Sequence, residues 1–358
     1  MAMMEQGSAN VGLTGILIVN LGTPDSPSVG DVRRYLRQFL LDARVIDIPA
    51  LPRQLLVNGI IAPFRAPKSA KAYKELWDAQ TGSPLKHYGL QVERLLQASL
   101  GDGFVVRLAM RYQNPSIPAV MAELQRLPLS QLVVVPLFPQ YASATTGSVV
   151  EAVGDVLKGW QTIPDVRFVN RFFDEPAFID AFAQVARPYL QAHAYERVLF
   201  SYHGVPERHI RKGDTQAHCK LGTCCNAFTA KNQWCYRAQC FATTRLLAKA
   251  LDLPEGMYQT TFQSRLGRDP WIQPYTDDTI KQLRKEGVNH VAVMSPAFVA
   301  DCLETILEIG DEYKELFEEL GGQHWQLIPS LNDSAPWVDA LAGIVRKYSQ
   351  GRQAPVVV

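Results

Sequence analysis

Five of the six cysteines lie within 22 residues: Cys219, Cys224, Cys225, Cys235 and Cys240, with Cys302 apart from them. A disulfide framework spreads its cysteines, whereas thiols crowded together in a reducing compartment point to metal. Thiolates select zinc or iron–sulfur clusters, and zinc sites often use paired C-x₂₋₄-C knuckles. The spacing here, Cys219-x4-Cys224-Cys225-x9-Cys235-x4-Cys240, has no pair of C-x₂-C knuckles. Zinc, a cluster and unligated thiols all stay open on spacing alone. Gly222, Thr223 and Asn226 suit a tight loop that donates hydrogen bonds to sulfur, and Phe228 and Trp234 are placed to shield it.

A second constellation is acidic. Glu304, Glu308 and Glu312 recur at i, i+4 and i+8, one stripe on a helical face. Like charges at that spacing oppose one another by roughly a few tenths of a kcal/mol per pair. Oxygen ligands in a row suit weak, transient handling of a hard divalent ion. The competing reading is a solvated face headed by a capping box, with Asp301 as N-cap and Glu304 at N3. His203 follows an apolar run, at what reads as the carboxyl end of a strand. A neutral imidazole there is a suitable base near pH 7; the bland alternative is a hydrogen bond to a loop.

The elements that position these residues are legible from pattern. Short β-branched runs at residues 15–21, 104–110, 131–136 and 166–170 predict four strands, and runs at 197–202, 257–262, 291–294 and 323–327 predict four more. Helical periodicity falls between them, for example at 116–126, 175–191, 275–285, 301–320 and 335–348. Strands alternating with helices give α/β folds with parallel sheets covered on both faces.

The two sets of four look repeated. Ile16-Leu-Ile-Val-Asn-Leu-Gly-Thr-Pro-Asp25 resembles Val198-Leu-Phe-Ser-Tyr-His-Gly-Val-Pro-Glu207, and Val133-Val-Val-Pro-Leu-Phe138 resembles Val293-Met-Ser-Pro-Ala-Phe298. The expected architecture is two similar Rossmann-like halves, each a four-stranded parallel sheet flanked by helices. The first spans residues 11–172, the second 173–333 with a cysteine-rich segment at 214–240, and a C-terminal helix at 334–350 packs back. Ligands of such folds sit beyond the carboxyl ends of the strands, so a cleft between the halves is the expected site. The first half carries an excess between its first two strands, including Phe39-Leu-Leu-Asp-Ala-Arg-Val-Ile46 and the apolar, arginine-dotted residues 51–67. A lip over a flat, greasy, anionic ligand and a plain packed excursion both fit it.

The 358 residues suit two domains, and 47% hydrophobic with 20% charged residues is a globular profile. A net charge of +1 gives no basic footprint for nucleic acid. Residues 1–10 are polar without Lys or Arg, and the apolar run 16–21 is too short for a signal segment or membrane span. A cytoplasmic protein is expected, with peripheral membrane contact left open and the oligomeric state unspecified.

Leu199-Phe-Ser-Tyr-His-Gly-Val-Pro206 and Ser295-Pro-Ala-Phe-Val-Ala-Asp-Cys-Leu-Glu-Thr305 closely resemble the two signature motifs of ferrochelatases. Thr261-Phe-Gln-Ser-Arg-Leu-Gly-Arg-Asp-Pro-Trp-Ile-Gln-Pro-Tyr-Thr-Asp-Asp278 is similar to a third block. Asn20-Leu-Gly-Thr-Pro-Asp25, Met110-Arg-Tyr-Gln-Asn-Pro115 and Pro139-Gln-Tyr-Ala-Ser-Ala-Thr-Thr-Gly-Ser148 resemble N-terminal blocks, so the likeness runs in order along nearly the whole chain.

The resemblance implies a lyase that inserts Fe2+ into a porphyrin, protoporphyrin IX first among them, at the last stage of haem synthesis. It implies His203 and Glu304 as the catalytic pair, with Glu308 and Glu312 continuing a metal or proton path. It implies Tyr141, Arg111, Tyr112, Trp271 and Phe298 as the porphyrin pocket. Cys302 stands where some relatives have His, and the cysteine-rich stretch follows Gly213-Asp214 where many relatives enter the next helix directly. Some members of the family hold an iron–sulfur cluster in such a segment. A [2Fe–2S] cluster on Cys219, Cys224, Cys225 and Cys235 is therefore expected. Cys240 is taken as spare because some cluster-free relatives have a cysteine at that point. The alternatives are a chelatase for another metal and tetrapyrrole, or a two-lobed carrier of metal or haem without turnover.

Overall fold

The computed structural model describes residues 12–350 apart from 266 and 268. The polar start at 1–10, and residue 11 where the first half was expected to begin, lie outside the described residues. Among the described residues eight strands form: β1 (Leu13–Gly22), β2 (Phe104–Tyr112), β3 (Leu129–Pro136), β4 (Asp165–Phe168), β5 (Arg197–His203), β6 (Tyr258–Gln263), β7 (His290–Met294) and β8 (His324–Leu327). They make two four-stranded sheets of matching order, β2-β1-β3-β4 and β6-β5-β7-β8, with every pairing parallel. The expected α/β architecture of two similar halves is the one observed.

Each half places its first strand at an interior position of its sheet, and the middle of that strand is fully buried. Ile16, Leu17, Ile18 and Val19 of β1 are fully buried, as are Val198, Leu199 and Phe200 of β5. Burying one such side chain contributes about 1.5–3 kcal/mol, so the central strands seed both cores. One continuous apolar cluster runs from β1, β2 and β3 through Phe172, Phe178 and Phe182 to β5, and Trp337 and Leu341 join it. The last two belong to the C-terminal helix Ala335–Ser349, which lies against Pro176–Ala192 and crosses to Pro84–Leu100 and β3 of the first half.

The halves differ in their first crossover, residues 23–103 against 204–257. The longer one folds as helices Val29–Leu41, Ala50–Leu55 and Ala62–Leu76 with a π turn at Leu56–Ile61, before Pro84–Leu100. Val32, Tyr35, Leu36 and Tyr73 of this insertion pack with Tyr112 and with Leu303, Ile306 and Leu307 of the second half. The insertion thus closes over the helix that begins near Glu304. Its outer side leaves Leu51, Leu55, Ile60 and Phe64 exposed, Phe64 to 79%.

Candidate active site

His203 ends β5, its backbone paired with Gln263 at the end of β6. The imidazole Nδ1 lies 2.7 Å from the Gly204 carbonyl oxygen. A carbonyl only accepts, so Nδ1 carries a proton and Nε2 is left as the basic nitrogen. The Tyr236 hydroxyl donates to the His203 carbonyl at 2.8 Å and fixes the strand end. Gly204 is required by space: a Cβ there would meet the Gln263 carbonyl at 2.9 Å and the Trp271 ring at 3.1 Å. The rings of Trp271 and Phe298 stand 6.4 and 6.5 Å from the imidazole. Both are among the residues expected to line a flat ligand, and both are partly exposed.

The acidic stripe lies on a segment wound as a π-helix, Glu304–Glu312, continued by the α-helix Tyr313–Glu319. Such windings are frequent at functional sites. The alternative of a capping box fails on hydrogen bonds. The Asp301 amide donates to Asn332 Oδ1, and the Asp301 carboxylate accepts from Thr305 Oγ1, Ser330 N and Asn332 Nδ2. Asp301 therefore ties the helix start to a distant loop, and the residues of the stripe diverge in environment. Glu304 is half-buried, Glu308 is largely enclosed and Glu312 is exposed.

Glu308 accepts from Ser264 Oγ and, at 3.1 Å, from the Tyr313 hydroxyl. Burial pushes its carboxyl above the ordinary glutamate range and the Glu304 charge adds to this, while Ser264, His203 and Tyr313 pull it down. The His203 charge thus reaches Glu308 from a different element. Glu304 is felt by three buried groups: Tyr35 and Tyr73 from the insertion, and the Cys302 thiol. Burial first, then neighbours including Glu304, raises all three, so they stay protonated beside the carboxylate.

The remaining expected pocket residues fall in two settings. Tyr141 is partly exposed and its ring meets Trp234 edge-on at 5.4 Å. Its amide donates to Gln239 Oε1 at 2.7 Å, a bond across the two halves. Arg111 is committed to the protein: Nη2 is 2.7 Å from Asp42 Oδ2 and Nε is 2.6 Å from Ser148 Oγ. Tyr112, only 2% exposed, spends its hydroxyl on Asp42 at 2.9 Å and packs edge-on against Phe39. Asp42 and Ser264 lie inside stretches that the sequence singles out, but neither they nor Tyr313 were marked individually. Asp47 was likewise unmarked; it ion-pairs with Arg208 at 2.6 Å and with Lys212, joining the insertion to the helix Glu207–Gly213 that follows His203.

In the cysteine-rich segment each of the four expected sulfurs neighbours another. Cys224 Sγ is 4.0 Å from Cys225 Sγ, Cys225 shares a hydrogen bond with Cys235, and Cys219 with Cys224. Cys225 donates: its bond to Cys235, together with burial, holds its thiol up, and the same bond holds Cys235 down. Lys220 N donates to Cys224 Sγ at 3.3 Å, and the Arg237 and Ala238 amides, at the start of helix Tyr236–Ala250, serve Cys235. These donors suit thiolates. Even so, among the described residues no three His, Cys, Asp or Glu side chains already converge as a metal site. Cys240 is fully buried, against Tyr236, inside the core. Phe228 meets Phe173 and Trp234 meets Tyr141, and Arg171 packs on Phe173, Phe228 and Trp234, so these aromatics join the loop to the first half.

Comparison with known proteins accounts for this arrangement. A family model described as Ferrochelatase matches residues 13–349. A ferrochelatase of Legionella pneumophila (strain Paris) is 46% identical over 333 residues, 93% of this chain and 98% of that protein. One from Coxiella burnetii is 45% identical over 337 residues, 94% of each chain. The fold is also that of SirB from Bacillus subtilis with Fe3+ (TM-score 0.51, 12% identity, 94% of this chain and 95% of that one). It matches too the sirohydrochlorin chelatase SirB of Bacillus subtilis subspecies spizizenii in complex with cobalt (TM-score 0.53, 11% identity, 94% and 95%). On the family match over nearly the whole chain and on relatives at this identity, the chain belongs to the ferrochelatase family.

Proposed function

We propose that His203 is the base of the reaction this chain carries out. The chain is a lyase that inserts ferrous iron into a porphyrin to give haem. Iron enters as a dication and two pyrrole N–H protons leave, so a proton acceptor has to face the macrocycle. The observation that carries the assignment is the Nδ1 contact to the Gly204 carbonyl, which leaves Nε2 basic between two aromatic rings. His203 takes a proton at Nε2, and the resulting imidazolium is stabilised by Glu308. Glu308 passes the proton toward exposed Glu312 and solvent. Glu304, flanked by the Tyr35 and Tyr73 phenols, offers iron a carboxylate on the way in. Iron insertion by the His203→Ala protein, with porphyrin binding measured in parallel, tests the assignment.

Trp271, Phe298 and Tyr141 form the faces for the porphyrin in this reading. Arg111 and Tyr112 act behind them, through Asp42 and Ser148. Protoporphyrin IX is the substrate we assign, its vinyl groups suiting the apolar insertion. The exposed Leu51, Leu55, Ile60 and Phe64 support peripheral contact with a membrane surface, since large apolar patches are costly in water. No helix among the described residues is long and apolar enough to cross a membrane. We place the protein in the cytoplasm and divide it at residues 11–172, 173–333 and 334–350.

Cys219, Cys224, Cys225 and Cys235 are assigned as the holders of a [2Fe–2S] cluster, on the strength of their mutual contacts and amide donors. Such a group would supply one-electron redox chemistry, which porphyrin metalation itself does not use. The visible spectrum and the iron and acid-labile sulfide content of anaerobically purified protein test this.

A further inference from the structure

We propose that His193, His290 and His324 form a binding site for a borderline divalent metal ion, Zn2+ being the probe, at the edge of the second sheet remote from His203. β7 begins at His290 and β8 at His324, and His193 directly follows the helix Pro176–Ala192 that leads into β5. The strands are parallel. The three imidazoles therefore gather at their amino ends, whereas His203 closes the carboxyl end of β5. At about 3.3 Å per residue the two places are roughly 20 Å apart, so this group is no part of the cleft.

The geometry is that of a ligand triangle. Ring centroids stand 4.3 Å apart for His193–His324, 4.9 Å for His193–His290 and 6.4 Å for His290–His324. Three imidazoles bound tetrahedrally at zinc–nitrogen distances of about 2.0–2.1 Å have their centroids roughly 5 Å from one another. The rings at present lie tilted over each other and, among the described residues, no three such side chains already converge, so an ion binding here would have to draw the imidazoles round about their side-chain bonds.

Two of the three already have the outer support that histidine ligands require. His290 Nδ1 is 3.3 Å from Glu196 Oε2, and that oxygen is held by the amides of Asn289 and His290 at 2.6 and 2.9 Å. This fixes the proton on Nδ1 and leaves Nε2 to bind. The Tyr195 hydroxyl lies 3.4 Å from His324 Nε2, which leaves Nδ1 of that ring. Imidazole nitrogens suit zinc, copper, nickel and iron, and Glu196 offsets the charge of the ion. His193 is exposed, so an ion reaches the site from solvent.

Equilibrium dialysis of the porphyrin-free full-length protein against Zn2+ decides the matter. Wild type and Cys235→Ser should share one Zn2+ per chain that is lost, or bound at least tenfold more weakly, in His193→Gln, His290→Gln and His324→Gln. Glu196→Gln should weaken it about ten- to a hundredfold. Zn2+ should raise the melting temperature of wild type and not of His193→Gln, whose exposed site makes folding safe, while iron insertion by His193→Gln stays at the wild-type level. Unchanged stoichiometry and affinity in a folded His193→Gln protein, or Zn2+ displaced only by the cysteine substitution, would overturn the site.

Discussion

Tyr313 is bound twice to Glu308: its amide donates to the Glu308 carbonyl across a π turn, and its phenol donates to the Glu308 carboxylate at 3.1 Å. The wide turn brings residue i+5 over residue i, so the winding and the setting of the acid are one feature. The phenol is one of the groups that pull the raised Glu308 carboxyl back down. Tyr313→Phe should therefore shift the pH–rate limb that belongs to Glu308 upward and lower kcat several-fold. An unchanged pH profile would remove Glu308 from the proton path.

His203→Ala should lower iron insertion by about 10²–10⁴-fold, the usual cost of one general base. The Tyr236 bond goes to the His203 backbone carbonyl and survives the substitution, so the melting temperature should hold. Fluorescence quenching by porphyrin should also be retained. Turnover near the wild-type rate would sink the assignment.

Glu308→Gln should be less active and yet more stable at neutral pH. Folding raises the Glu308 pKa. Its stabilising contribution is thus fully present below the ordinary glutamate value and lost as pH rises through the folded value. The neutral amide escapes that loss. The gain in melting temperature over wild type should appear near pH 8 and shrink toward about pH 4, where the wild-type carboxyl is protonated. Glu304→Gln should cut iron insertion strongly with little change in melting temperature, and Glu312→Gln should mainly raise the Michaelis constant for iron.

Asp47→Asn should loosen the insertion from the second half and raise the Michaelis constant for porphyrin. The Asp47 carboxyl, held well below its usual range by Lys212, Arg208 and His209 against the cost of burial, is stabilising above the ordinary aspartate pKa. That contribution is lost as pH falls through the folded value. A loss of roughly 1–2 kcal/mol, between surface and buried ion pairs, is expected at pH 7. Denaturant melts at pH 7 and in acid check both size and sign.

Substituting Ser for Cys219, Cys224, Cys225 or Cys235 should bleach the visible absorption expected of a cluster, while Cys240→Ser and Cys302→Ser should not. Cys240 is sealed in the core and Cys302 lies beside Glu304 in a different part of the chain. A colourless wild-type protein, purified without oxygen and free of iron and sulfide, would end the cluster reading.

The sequence by itself determined the two sheets and the end of β5 on which His203 sits. Strand patterning is local: a β-branched apolar run has one good use in a chain of this composition, and its repetition at Ile16–Val19 and Val198–Phe200 exposes the two halves. The acidic stripe was legible as three glutamates, but not its winding. A π turn closes its hydrogen bond one residue further along than an α turn, a difference that residue pattern does not record; the π segment here packs against Tyr35, Tyr73 and the insertion. The capping box read from Asp301 and Glu304 failed because Asn332 and Ser330, distant in sequence, take the Asp301 groups. Arg111, expected in the porphyrin pocket, is instead paired with Asp42. His193, His290 and His324 carry no motif at all; parallel register pairs His290 with His324, and the end of the helix Pro176–Ala192 brings His193 beside them. Short-range periodicity records what each segment buries, whereas which charged or ligating groups meet depends on strand register and crossover paths, and only the tertiary structure decides those.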